Sequence, residues 1–182
     1  WWPADEAFEI IVGAILTQNV AWTNVEKALA NLKEVGCLTP KQLRQLPIED
    51  LASLIRSSGY FNAKAKKLKA FAHHLSLYHD SLDAMFRKEI SSLRYELLTI
   101  YGIGEETADD IILYAANKPS FVIDMYTRRI MNRVGIHPES ESYHGYKALF
   151  EENVPRDAAV YNEFHALLDR HAAEICRKRP LC

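Results

Sequence analysis

The residues best suited to chemistry lie between Leu97 and Arg133: a glycine pair, Gly102 and Gly104, and an aspartate, Asp124. The glycines sit in Tyr101-Gly102-Ile103-Gly104, between two apolar patterns of helical spacing. One pattern closes at Leu97-Leu98-Thr99-Ile100, and the other runs from Glu105 to Ala116 through Ala108, Ile111, Ile112 and Ala115. The expected local structure is a helix, a tight hairpin and a second helix. Glycine permits positive φ and leaves no side chain in the way, so a phosphate oxygen can approach the backbone N–H groups opening the second helix. Gly102, Ile103, Gly104 and, in the first turn beyond them, Thr107 form the candidate backbone-binding set. Phe121-Val122-Ile123 then reads as a short extended piece that delivers Asp124 to the start of a helix over Tyr126 to Val134, where a carboxylate also serves as N-cap. A lone G-x-G is usually a turn and a lone Asp before a helix is usually a cap. It is their arrangement over one stretch that points to a site.

The elements that must position this stretch are helical almost throughout, so the fold class is all-α. Phe8, Ile11, Val12, Ile15 and Leu16 mark a first helix; Val25, Leu29, Leu32 and Val35 mark a second, stopped by Gly36. Prolines introduce two shorter helices, Pro40 to Leu46 and Pro47 to Ser57. Phe61, Ala65, Leu68, Ala72 and Leu75 stripe a long one, and a polar break follows around Asp80 before the Leu93 to Ile100 helix. Tyr143 to Glu152 and Asp157 to Ala173 complete the set, with no internal repeat or low-complexity segment.

At 182 residues and 48% hydrophobic, the chain can bury a sound core. It has no apolar run long enough to span a bilayer and no leader-like start, so a cytoplasmic protein is expected, and Trp1 in place of Met suggests a native start further upstream. Three cysteines supply no disulfide framework. A formal net charge of −2 by itself argues against a nucleic-acid partner. The distribution argues the other way: Lys64, Lys66, Lys67 and Lys69 cluster at one helix start, Arg128, Arg129 and Arg133 follow the aspartate, and Arg177-Lys178-Arg179 lies near the end. Lys64 and Arg128 are the cations expected beside DNA.

The stretch LLTIYGIGEETADDIILYAANKPSFVIDMYTRRIMNRVG resembles the helix-hairpin-helix plus Gly/Pro-Asp signature of the endonuclease III superfamily of DNA glycosylases. WWPADEAFEIIVGAILTQN and GYFNAKAKKLKAF resemble other segments of that family, so the likeness covers nearly the whole chain. It implies two helical lobes with a DNA cleft between them, one lobe from residues 20 to 119 and the other joining 1–19 to 120–182. It also implies that the hairpin grips phosphates and that Asp124 drives cleavage of the N-glycosidic bond, where positive charge develops at the sugar C1′.

Bifunctional members of the family place a lysine in the pattern G-x-G-x-K, whose amine attacks C1′ and forms a Schiff base. Glu106 stands there in this chain and cannot form an imine, so the resemblance implies a monofunctional enzyme with water as nucleophile. Met125-Tyr126 also departs from the Thr-His of bifunctional relatives. Glu106 and Tyr126 are candidate base-pocket residues, and Gln18 matches the family glutamine that fills the gap left by a flipped nucleotide. Trp1-Trp2-Pro3 looks like the 3-methyladenine DNA glycosylase III branch, whose aromatic residues from this region line the base pocket; such faces suit electron-poor alkylated purines. The expected substrates are therefore alkylated purines, 3-methyladenine foremost, in double-stranded DNA bound by a monomer.

Cys176 and Cys182 resemble the opening of a four-cysteine loop holding a 4Fe-4S cluster, with the remaining ligands beyond Cys182. Cys37 reads as a buried filler, and His165 and His171 as supporting or structural groups. Two alternatives stay open: a bifunctional endonuclease III-like glycosylase acting on oxidised pyrimidines through a lysine from elsewhere, with Lys147 and Lys64 unassigned, and a helix-hairpin-helix module that binds DNA without catalysis.

Overall fold

The computed structural model describes residue 4 and residues 6–181, and among these the chain is helical with no strand. Eleven α-helices follow one another: α1 Ala7–Thr17, α2 Trp22–Glu34, α3 Pro40–Gln45, α4 Ile48–Leu54, α5 Phe61–Leu75, α6 Leu82–Phe86, α7 Ile90–Thr99, α8 Glu105–Asp110, α9 Met125–Val134, α10 Tyr143–Asn153 and α11 Ala158–Glu174. The expected helices are present. The additional one, α6, occupies the expected polar break; the Ser81 side chain caps it by accepting from Ala84 N, and Met85 anchors it in the core.

Apolar packing forms two main clusters. The larger joins α1, α2, α5 and α7 through residues such as Ile11, Leu16, Leu32, Phe71 and Leu97; the other gathers Leu113, Tyr114, Phe121, Ile123, Tyr146, Phe150 and Tyr161. The division falls inside one helical rod. After Asp110, α8 continues as a π turn over Ile111–Ala115, in which Ile111 and Ile112 enter the first cluster and Leu113 and Tyr114 the second. Four consecutive buried residues show that the rod is covered on all sides here, between the two clusters. The packing of α1 differs from the expected lobe assignment: Phe8, Ile11, Val12, Ile15 and Leu16 lie in the first cluster and only Ile10 reaches the second. Its apolar residues surround the helix rather than forming one stripe, so α1 suits the centre of the N-terminal packing.

The segment before Asp124 has no strand partner, so its backbone groups need side-chain partners. Tyr143, Lys147 and Glu151, spaced i, i+4 and i+8, present one face of α10 to it. Ile123 N donates to Tyr143 OH (3.3 Å), Lys147 Nζ donates to Phe121 O (3.1 Å), and Phe121 N donates to Glu151 Oε1 (3.0 Å). Phe121 stacks on Phe150 at 4.1 Å between ring centroids and meets Tyr161 edge-on.

Asp109 ties this arrangement to the hairpin. Its fully buried carboxylate accepts from Arg94 Nε (3.0 Å), Ser120 Oγ (2.7 Å) and Tyr143 OH (2.9 Å), and pairs with Lys147 Nζ at 3.0 Å.

Candidate active site

The hairpin turns at Gly102, whose φ of +84° favours glycine. A Cβ there would lie 2.2 Å from the Lys67 side chain, so the glycine also makes room for a lysine stem. Ile103 is buried and anchors the turn, donating its N–H to Ile100 O. Gly104 caps α8 in extended conformation, and nothing lies within 4 Å of where its Cβ would be. The N-terminus of α8 thus has open space beside Gly104.

Gln18, at the end of α1, spans from the first cluster to the hairpin. Its Nε2 donates to Gly102 O (3.2 Å) and Thr107 Oγ1 (2.9 Å), and Lys67 Nζ donates to its Oε1. These residues, with Asn19 and Glu106, line a cleft of about 450 Å³. Asp124 caps α9, its Oδ1 accepting from Thr127 N at 2.7 Å. Its charge is felt at Glu106 and Asp110 on the far wall. The hairpin, the cleft and the cap-fixed carboxylate are therefore neighbours.

Residues 12–156 match the model of the HhH-GPD superfamily base excision DNA repair proteins. The chain belongs to that family. HhH-GPD relatives include the Methanocaldococcus jannaschii protein named Putative DNA repair glycosylase MJ1434, 43% identical over all of this chain and 84% of its own length. Endonuclease III of Sulfolobus acidocaldarius is 30% identical over 96% of this chain and 77% of its own. The crystal structure of the H. pylori 3-methyladenine DNA glycosylase MagIII bound to 1,N6-ethenoadenine superposes with a TM-score of 0.83 at 29% identity, covering 96% of this chain and 88% of that one. The chain is accordingly an HhH-GPD DNA N-glycosylase with the endonuclease III-like all-α fold.

Within this HhH-GPD site, several expected contacts change place. Lys64 is not a surface cation: it is buried, and its Nζ donates to Leu16 O (2.8 Å) and Ser58 O (2.6 Å). Burial, and then the charge of Lys67, lower its pKa to about 8. Lys67, one turn further along α5, is the lysine at the cleft. Thr107 is buried at the wall of the cleft, its hydroxyl accepting from Gln18 Nε2. Lys147 is held by Asp109 and Glu151. Arg128 reaches Glu141 O and lies over the Tyr146 ring, close enough to Glu106 to lower its pKa in part. Tyr126 is partly exposed beneath the Arg129 guanidinium at 4.7 Å. Trp1 and Trp2 lie outside the described residues.

The sequence pattern missed the acidic wall. Glu106 is raised to about 7 by desolvation between the cleft walls and then by the Asp124 charge, although its outer surface is open to solvent. Asp110 is pushed well above the carboxylate range by burial and then by Glu106, Asp124 and Asp169. On α11, Asp169 is raised to about 8 by burial and then by Asp124. His165, four residues earlier, is buried and its pKa is lowered, chiefly by that burial. His165 Nδ1 meets Tyr114 OH at 2.5 Å, while Nε2 faces Asp124 Oδ1 at 4.0 Å and Asp169 Oδ1 at 3.9 Å.

These shifts make stability pH-dependent. Carboxyls with raised folded-state pKa values contribute stability that is full below their ordinary pKa near 4 and is lost as pH rises through 7 to 8. His165 acts oppositely, but its contribution is complete above about pH 6.5. In the acid range, burial opposes ionisation of Glu96, yet hydrogen bonds from Lys88, Tyr78 and His74 hold it at about 2, so its contribution disappears as pH falls through that value. The DNA-free melting temperature is therefore expected to fall from pH 6 to 8, less steeply in Asp169→Asn. Calorimetry showing a rise over that interval would contradict the assigned directions.

Cys176 is buried, and Arg133 Nη1 donates to its Sγ at 3.0 Å and to Arg177 O at 2.7 Å. A thiolate ligand suits that donor. Cys182 lies outside the described residues, and among the described residues Cys176 has no cysteine neighbour with which to complete a ligand set. No described helix is long and apolar enough to cross a membrane.

Proposed function

We propose that this glycosylase is monofunctional and removes alkylated purines, 3-methyladenine foremost, from double-stranded DNA, with Asp124 stabilising the cationic sugar while water attacks C1′. The observation that carries the reading is Glu106 at the hairpin position where bifunctional relatives have lysine, close enough to Asp124 to feel its charge. Lys64 and Lys147 are occupied in the interior, and Lys67 is hydrogen-bonded to Gln18. A carboxylate at Glu106 also favours a positively charged base over a neutral one. The 29% identity to a 3-methyladenine glycosylase seen with 1,N6-ethenoadenine supports the same substrate class.

Asp124 is the catalytic carboxylate in this reading. Its cap to Thr127 fixes Oδ1 and with it the direction of the carboxylate. Gln18 occupies the space of the flipped nucleotide, which requires release from Gly102 and Thr107, and Lys67 and Arg128 meet phosphate. Trp1 and Trp2 supply stacking faces. Cys176, with Cys182, opens the loop of a 4Fe-4S cluster that would brace the C-terminal segment.

The test is base release from duplexes carrying methylated purines, thymine glycol or uracil, each assayed with and without alkali and with borohydride. Free 3-methyladenine, nicking only after alkali and no trapped adduct are expected. Thymine glycol release with an efficient borohydride adduct, and none from methylated DNA, would establish the bifunctional reading instead.

A further inference from the structure

We propose that Asp169 is a positioning residue for excision: its carboxyl shares one proton with Asp124 and donates it as a hydrogen bond that aims the ionised Asp124 at the sugar. The inference rests on the catalytic reading of Asp124. Asp169 and His165 lie one turn apart on α11, and both side chains face the N-terminus of α9. The carboxyls of Asp124 and Asp169 offer oxygens within 4.8 Å of each other and of the His165 ring, and a hydrogen bond with Asp124 is among the causes that raise Asp169. Two ionised carboxylates do not make such a contact, because neither has a donor; one proton between them supplies it.

The surroundings favour that proton. Asp169 Oδ1 and His165 Nε2 are both buried atoms without a hydrogen-bond partner, 3.9 Å apart. Proton placement on Nε2, with Nδ1 accepting from Tyr114, aims an N–H toward both carboxyls. α8 adds Glu106 and Asp110 to the facing charges, and their acidity opposes full ionisation of the pair. The neighbouring cation on α9, Arg129, donates to Ala172 O and lies over Tyr126.

Asp169 makes no bond to substrate. Its hydrogen bond leaves Asp124 with one negative charge, held at one oxygen by Thr127 N and steadied by the shared proton. When that proton leaves near pH 8, the pair becomes two repelling carboxylates and Asp124 loses its fixed direction.

The experiment combines carbon-13 NMR of labelled aspartate carboxyls with single-turnover release from a methylated duplex between pH 5.5 and 9.5. A carboxyl titrating near pH 8 is expected in the wild type, absent in Asp169→Asn and shifted down in Asp124→Asn. Asp169→Ala should lower the rate at pH 7 roughly tenfold with duplex affinity retained. Asp169→Asn, whose amide still donates, should recover most of that loss without the wild-type decline above pH 8. No such Asp169 titration, or a wild-type rate and pH profile in Asp169→Ala, would overturn the proposal. Wild-type turnover by Asp124→Asn would instead overturn the catalytic reading on which it rests.

Discussion

Asp124→Asn is expected to lower the single-turnover excision rate by roughly 10²- to 10³-fold, while affinity for an abasic-site duplex stays similar or rises. Asparagine keeps the shape and can still cap α9, because its side-chain oxygen can accept from Thr127 N as Asp124 Oδ1 does. In the proposed role of Asp124, the substitution removes negative charge where the transition state develops positive charge at C1′. It also removes one negative charge from a surface that binds a polyanion, which favours affinity. A variant that binds well and turns over slowly separates transition-state stabilisation from ground-state binding. Unchanged single-turnover release would require another group to carry the cationic sugar.

The hairpin and Asp124 were legible in the sequence because their signals are local. A glycine pair between two apolar helical patterns and an aspartate before a third helix mark backbone conformations that short segments decide. Lys64 shows the limit of reading charge clusters. It shares the α5 face with Leu68, Phe71 and Leu75, at i+4, i+7 and i+11, so helical spacing already placed it inward, whereas Lys67 lies off that stripe and reaches the cleft. Thr107 falls on the inward row with Ile111 for the same reason.

The acidic wall was not legible. Glu106, Asp124 and Asp169 come from three helices, and only tertiary packing makes their charges neighbours. The i,i+4 spacing of His165 and Asp169 marked a common helix face, but gave no hint of what it faced. The face of α10 formed by Tyr143, Lys147 and Glu151 was equally silent: on most helices such a row is solvated, and here it supplies the partners of an extended segment.

Asp109→Ala should be the most damaging single change away from the cleft, destabilising the fold by about 3–5 kcal/mol. Asp109 is fully buried, and its removal leaves the buried Lys147 ammonium and the half-buried Arg94 guanidinium without their shared carboxylate. Tyr143 and Ser120 lose an acceptor as well. The damage runs directly to chemistry, since Tyr143 also receives Ile123 N and Ser120 opens the segment that delivers Asp124. Asp109→Asn retains acceptor capacity and the shape, and should cost less. Urea unfolding measures the first effect, and single-turnover excision below the unfolding transition measures the second. Both stability and the folded variant's rate should fall in Asp109→Ala; wild-type stability would show that the ion cluster adds nothing net, and a wild-type rate in the folded variant would show that the segment holds Asp124 in place without it.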